Sequence, residues 1–423
     1  MPTFCVTKYQ DSPELVLAMM AIGAQFRYES RNGAALYRAG RAILLQRLKS
    51  GQFSVQPAAS AVDQESCLAA ANTETDCQSP SARMESIKGI LLLATFSTWQ
   101  QDRSLVRESF EYQGLLARCI RESGLTETLP NDGDDWHVWA KTESDRRVKL
   151  ASFCFLNLQS LVFNVPPVLL GNEILLRLPV TCDEWLAPGA SRWREARSKA
   201  TPVISFQEGL AVLDGNIFAW AGCVRLHFDL GNKRQIYSGD PQSIAAAAFE
   251  ARPLERGLRL VFALLHAVHA LNIPVQLGID YLANCQAFFW SLQHSFCSFE
   301  AAVFLSKWVF VIADGHDVGS MHFKERQIIR WLEFIVNEAL ASVDEMQEDA
   351  LQSPDSPITA QSLRFLGNMV IKLFAKMFQR CNSAWPIMRI VGESLHEYSK
   401  LLGGISGPDS STSTDSFSRA VSN

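Results

Sequence analysis

Apolar residues recur along most of the chain at helical spacing. Met84, Ile87, Leu91 and Ala94 fall on one stripe, and Ile328, Leu332, Ile335 and Ala339 repeat at intervals of four, three and four. Leu366, Met369, Val370, Leu373, Phe374 and Met377 follow the i, i+3, i+4, i+7, i+8, i+11 pattern of one buried helix face. This periodicity predicts helices over 13–27, 33–49, 83–100, 103–123, 134–163, 184–198, 203–228, 241–272, 279–312, 322–350, 359–380 and 385–402, with room for two helices in the longer spans. Strand signals are sparse. Glu173–Val180 reads as a short extended strap, but Pro179 ends it and no second alternating run lies nearby to pair with it. The expected fold class is all-α, an irregular multi-helix bundle.

Two segments depart from the pattern. Residues 54–82 are rich in Ser, Ala, Gln, Asn and Thr and contain no aromatic residue, so they cannot bury enough apolar surface to offset ordering. They read as a mobile insertion. Residues 403–423 are Gly- and Ser-rich and read as a disordered tail. The sequence therefore suggests one domain over 1–402, with the insertion inside it and the tail after it. Ser353-Pro354 and Ser356-Pro357 mark a proline-punctuated turn between two helices.

Composition narrows the function classes. Of 423 residues, 48% are hydrophobic and 20% charged, which excludes a largely disordered chain. The net charge is -5 and the 39 Lys and Arg are scattered, which argues against the chain gripping DNA or RNA by itself. No basic region followed by an apolar run opens the chain, so no secretory leader is expected. Leu258–Leu271 and Ala301–Ala313 are interrupted by Arg259, His266, His269 and Lys307, and read as too short for a membrane span of ~20 residues. The ten cysteines fall mostly in apolar runs, as with Cys154 and Cys223, the pattern of reduced, buried thiols in an intracellular protein.

Searches for chemistry end without a site. There is no G-x-S-x-G elbow, no phosphate-binding G-x-x-x-x-G-K-[ST] loop and no G-x-G-x-x-G turn. His396-Glu397 opens like a zinc-protease helix, but Lys400 stands where the second ligand belongs. Asp134-Asp135 lacks the third carboxylate of a magnesium-binding cyclase motif and reads as a turn feeding a helix. His266 and His269 share a helix face without a clear third ligand nearby, so a hydrogen-bonded core or rim role is expected. Cys67 and Cys77 belong to no C-x-x-C pair. Asp314-Gly315-His316-Asp317 reads as a solvent loop, with pocket lining as the alternative. No catalytic, cofactor-binding or metal residue is assigned.

Residues 134–187 carry the densest pattern. Trp136, Trp139, Val148, Phe153, Leu156 and Phe163 supply apolar anchors along one helix. Glu143 and Arg147 stand four apart with the acid first, the favourable order for a helical ion pair. Arg146 faces elsewhere, toward a carboxylate on a neighbouring helix. Asn164, Pro166 and Pro167 stop the helix. The strap Glu173–Pro179 follows, and Trp185 begins the next helix behind an acidic cap at Asp183. All of these residues are read as structural.

This constellation resembles the middle homology region of fungal zinc-finger transcription factors, the fungal-specific transcription factor domain. The family's tryptophan helix, its Glu and Arg pair, its proline stop and its strap closing in Leu-Pro match Trp139, Glu143, Arg146, Arg147, Pro166, Pro167, Glu173, Leu178 and Pro179, with Trp185 after them. LVLAMMAIGAQFRYES, SIKGILLLATFSTWQ, SFEYQGLLARCIRESGL and SFQEGLAVLDG extend the likeness from the start to about residue 215. The version that follows two-Cys two-His fingers is the closer match. The resemblance implies a nuclear transcription regulator of a fungal gene set, such as a secondary-metabolite or catabolic cluster. It implies protein partners or self-association, and a small-molecule effector in a helical cavity. Zinc and direct DNA contact would belong to a finger module, and the chain opens inside the region without one; it reads as truncated or naturally fingerless. His316 and His322 have a finger's spacing but no cysteines to complete a site. A helical cluster-encoded enzyme such as a cyclase, and a plain interaction scaffold, are the rival readings.

Overall fold

A computed structural model describes residues 12–50, 80–127, 135–211, 224–225, 228, 235–289, 292–315, 321–341 and 357–405. Most of the expected insertion, with Cys67 and Cys77, lies outside these residues, as do Asn131–Asp134, Cys223, His316, Asp317, Ser353–Ser356 and residues 406–423. The described residues are all-α, with no strand among them and two isolated bridges. The single span 1–402 drawn from sequence divides into two compact units. One comprises Met1–Leu161 and Val165–Leu213, the other Val162–Asn164 and Asp214–Asn423.

The first unit opens with α1 (Pro13–Phe26) and α2 (Ser30–Lys49), followed by α3 (Pro80–Thr98) and α4 (Arg103–Glu122). Pro13 and Pro80 begin their helices where a missing N–H costs nothing. Asp102 caps α4, its carboxylate accepting from the Ser104 N–H at 2.8 Å, and Gly124 beyond the other end adopts a left-handed φ of 84°. Leu15, Ala21, Leu44, Ile87, Leu93, Leu116 and Ile120 fill the shared core. Glu14 is wholly buried there, held by Arg47 at 2.6 and 2.7 Å and by Ser86 at 3.1 Å. Leaving a buried carboxylate without such partners would be costly, because the protein interior does not replace the hydrogen bonds of water.

The long α5 (Trp136–Phe163) begins behind Asp135, which accepts from the His137 N–H at 2.7 Å. It ends at Asn164, whose φ of 52° is a helix-terminating conformation that asparagine tolerates. The 184–198 helix of the sequence reading is two, α6 (Cys182–Trp185) and α7 (Ala190–Lys199), interrupted by Pro188-Gly189. Trp185 therefore ends a short helix rather than beginning one. Its cap is Thr181, which accepts from the Glu184 N–H, and not Asp183. Of the 203–228 span, α8 covers Phe206–Ala211.

The second unit contains α9 (Pro241–Glu250), α10 (Val261–Leu277), α11 (Ile279–Phe289), α12 (Leu292–Asp314), α13 (Phe323–Ala341), α14 (Ala360–Gln379) and α15 (Ile387–Ile405). The 241–272 span breaks because Pro253 disfavours helix at Arg252 and Gly257 follows four residues later. Gly278, at φ 87°, ends α10. The helix α15 runs to Ile405, three residues into the segment assigned to the tail.

At the centre of this unit is α12, which packs on α10, α14 and α15. It is enclosed on nearly every side, from Ser295 to Ser306 and again at Trp308, Val309, Ile312 and Ala313. Its charges are satisfied internally: Glu300 takes a bidentate grip from Arg225 at 2.8 and 2.5 Å, and Lys307 donates to the Phe249 and Ala251 carbonyls at the C-terminal end of α9. Leu258–Leu277 and Leu292–Asp314 are, by length and composition, long and apolar enough to cross a membrane, which corrects the sequence reading. For the second, the protein core supplies the apolar surroundings, since 89% of its most apolar window is buried.

Candidate functional site

The residues singled out between 134 and 187 converge on one structure, a clamp that fastens the strap to α5. Glu143 faces inward and its carboxylate is fully enclosed. It accepts from Arg147 Nε at 2.7 Å, from Arg146 Nη1, and from the Val180 backbone N–H at 3.1 Å. Arg147 also donates to the Val180 carbonyl at 2.9 Å. One helical Glu-Arg pair therefore holds both polar groups of one strap residue, as a neighbouring strand would.

Arg146 reaches a second carboxylate, at Glu127 (2.6 Å). The direction expected from sequence is right, but the acceptor lies in the extended segment after α4 rather than on a helix. Glu127 in turn accepts from the backbone and side chain of Arg177, each at 3.2 Å. Burial opposes ionisation of Glu127, yet the Arg146 and Arg177 contacts outweigh it and hold its carboxyl below the ordinary range.

The strap also finds backbone partners that no alternating run announced. Leu175 exchanges hydrogen bonds with Leu125 (2.8 Å) and Glu127 (3.2 Å), a parallel bridge. Leu178 and Leu176 bond to Ile204 and Phe206, each at 2.9 Å, an antiparallel one. At the front of the strap, Arg121 grips Glu173 through two bonds of 2.6 and 2.8 Å and donates to the Val168 carbonyl at 2.7 Å.

Trp139 and Trp193 pack at 5.0 Å between ring centroids and form a buried cluster with Ala187, flanked by Trp136, Ala140, Val180 and Trp185. Arg147 lies over the Trp185 ring at 4.6 Å. Pro166 and Pro167 are exposed in the turn after α5, and Pro179 is exposed at the strap's end. Half-buried Leu178 lies over α8 at Gly209, where an added Cβ would approach it to 2.7 Å. Sequence reasoning missed Glu127, Arg121 and Arg177. Each partner lies 19 to 52 residues from its mate, beyond any helical spacing.

The remaining candidates are dispersed. His269 meets the Trp331 ring edge-on at 4.8 Å, and burial, then His269, lowers the His266 pKa. Asp314 ends α12 and pairs with Arg364 at 2.7 Å. Cys154 is exposed on α5, contrary to the expectation of a buried thiol. Among the described residues no group of three or more His, Cys, Asp or Glu is placed to hold a metal. A cleft of about 590 Å³ lies between α2 and α4, with Tyr37, Arg38, Arg41, Lys49, Leu105 and Glu108 among its walls. The Tyr37 hydroxyl donates to Glu108 at 2.7 Å, and Arg41 pairs with the same carboxylate at 3.2 Å.

The clamp saturates its own charges and presents no reactive group, so comparison with known families carries the identification. No curated protein and no solved structure matches the chain significantly. A family model described as the fungal transcription factor C-terminal domain matches residues 229–397. The model of the fungal specific transcription factor domain matches residues 2–217, just over half of the chain and the whole of the clamp. The chain belongs to the fungal-specific transcription factor domain family.

Proposed function

We propose that the protein is a nuclear transcription regulator of a fungal gene set, a secondary-metabolite or catabolic cluster among the candidates, and that it is not an enzyme. The observation that carries this reading is the succession of two transcription factor domains, over 2–217 and 229–397, along nearly the whole chain. The clamp supports it: conserving charge within a buried latch suits a scaffold that holds a regulatory shape, not a site that turns over substrate. Regulation would run through protein partners, with DNA reached through a finger module rather than through these residues. The α2–α4 cleft is the place we assign to a small-molecule effector, since its volume lies in the ~300–1,000 Å³ range of ligand sites. The chain itself is expected to hold no zinc.

The test is a reporter assay with the chain fused to a heterologous DNA-binding domain, combined with imaging of a tagged copy. A nuclear protein that changes reporter output supports the proposal. A cytosolic protein without reporter effect, above all one that consumes a metabolite, would replace it with the enzyme reading.

A further inference from the structure

The chain carries five Ser-Pro or Thr-Pro dipeptides, with their hydroxyls at Ser12, Ser79, Thr201, Ser353 and Ser356. Ser12 and Thr201 are the two that fall among the described residues, and the fold treats them in opposite ways. Ser12 is 1% exposed, stands at the start of α1 and donates to Glu85 at 3.1 Å. Thr201 and Pro202 are both exposed, in the connection between α7 and α8. Among the described residues no group bonds the Thr201 hydroxyl. The chain leaves α7 extended at Ala200, whose φ and ψ are -74° and 146°. Pro202 keeps Thr201 out of the helical region, and by Ile204 the backbone accepts a bond from Leu178 at 2.9 Å. Thr201 is thus a free hydroxyl on an exposed, extended segment that ends in a proline.

We propose that Thr201 is a phosphorylation site for a proline-directed kinase, with the last turn of α7 as the seat of the phosphate. Access is the first argument. Phosphoryl transfer needs the acceptor oxygen in line with the γ-phosphate. A hydroxyl on an exposed, extended segment can be brought there without unfolding the protein, whereas Ser12 cannot. Pro202 supplies two features that a kinase groove can select: a ring that fills a small apolar pocket, and a backbone nitrogen with no hydrogen to leave unpaired. In the reaction Thr201 Oγ1 attacks the γ-phosphorus of ATP and the bond from that phosphorus to the bridging oxygen breaks. ADP leaves, and the hydroxyl proton passes to the kinase's carboxylate base.

Charge is the second argument. A phosphothreonine carries about -1.5 to -2 charges at pH 7. Just beyond the C-terminal end of a helix the macrodipole opposes that charge. Cations on α7 offset it, since Arg194, Arg197 and Lys199 all precede Thr201 within two turns. Arg194 and Lys199 are exposed. Lys199 pairs with Glu195 at 2.9 Å, but both side chains are in water and such a pair is worth little. A phosphate dianion therefore draws Lys199 from a single carboxylate at small cost. Arg197 lies over the Trp193 ring at 5.1 Å and is half-buried. The three phosphate oxygens suit charge-assisted bonds to both cations. On the other side the nearest acid in sequence, Glu208, already accepts from the Ser205 N–H at 2.7 Å. The charge lands three residues before Ile204, beside the strap that the clamp secures.

The test is to treat the purified full chain with ATP and a mitogen-activated protein kinase, and to map the phosphate by mass spectrometry. The expected result is phosphate on Thr201 of the folded chain, with Ser12 modified only after denaturation. Thr201→Ser should keep the site, Thr201→Ala should abolish it, and Pro202→Ala should slow it by about tenfold or more. These side chains are already in water, so the circular dichroism of the variants should match the wild type. Phosphate confined to Ser79, Ser353 or Ser356, or a Thr201 modified only in the denatured chain, would overturn the proposal. Phosphorus NMR reads the seat. Nearby cations favour the dianion, so its second ionisation should fall below the ~6 of a free phosphate ester, and Lys199→Ala should raise it. A titration like that of free phosphothreonine, unmoved by Lys199→Ala, would overturn the assignment to α7. The inference goes beyond the regulatory reading, and mass and phosphorus signals need no transcriptional output, so either result can fail while the other stands.

Discussion

Glu143 shows what one residue does in this fold. Its carboxylate is enclosed, shared between two guanidiniums and bonded to the strap backbone. Half of this was legible, because Glu143 and Arg147 are four apart on a helix. The strap contact was not, because Val180 lies 37 residues away. Glu173 gives a prediction with a sign. Hydrogen bonds from Arg121, and then from the Leu170 N–H, pull its carboxyl down from 4.5 to about 2. A value depressed in the folded state means that the ionised form stabilises the strap. That contribution is complete above about pH 4.5 and is lost as the pH falls toward 2. The pair is partly exposed, so the effect is small. The melting difference between wild type and Glu173→Gln should be constant above about pH 5 and shrink toward pH 2; a pH-independent difference would contradict the linkage. Trp139 is 6% exposed against Trp193 and Ala187. Trp139→Ala should cost ~3–5 kcal/mol through the cavity it leaves, read as a lower denaturant midpoint. A variant that kept full stability but lost regulatory output would make Trp139 a contact residue instead.

Helix faces were the most legible elements. Each residue of the Ile328–Ala339 and Leu366–Met377 stripes is buried. Periodicity says which side of a helix is apolar, because the side chains of successive turns lie over one another. It does not say where a helix stops when apolar residues continue through the stop, as at Arg252-Pro253. Nor does it say how closely two helices approach. Gly392 of α15 sits against the end of α14, where an added Cβ would lie 2.7 Å from the Gln379 nitrogen and 2.9 Å from the Phe378 carbonyl carbon. Those are backbone atoms and cannot swing aside. Gly392→Ala should therefore destabilise by ~1–3 kcal/mol, even though alanine is the better helix former by ~1 kcal/mol. Gly114 in α4 is the control: it is exposed and an added Cβ would meet nothing within 4 Å. Gly114→Ala should stabilise by up to ~1 kcal/mol. Urea midpoints of the two variants should move in opposite directions, and equal shifts would show that helix propensity alone governs both sites.

The molecule as a whole divides at residue 213, close to the boundary between the family matches at 217 and 229. Each unit has its own buried core, around Leu44, Ile87 and Leu116 in one and around Phe304, Leu332 and Leu373 in the other. Units with separate cores are expected to fold separately. Fragments 12–213 and 214–405 should each give helical circular dichroism and a cooperative melt. A fragment that stays unfolded alone but folds when mixed with the other would show that one core depends on the second unit.

The sequence by itself determined the features that depend on near neighbours along the chain: helical faces, the Glu143–Arg147 pair, the asparagine and proline stop after α5, and the motif order that identifies the family. Tertiary structure decided what depends on distant neighbours. It chose Glu173 for Arg121, 52 residues away, and Glu127 for Arg146, and it gave the strap its two bridges. It also decided that the apolar α12 would be enclosed while the equally apolar α10 keeps Phe262 and Leu277 in water. Hydropathy is a property of a residue, whereas burial depends on which other elements arrive to cover it.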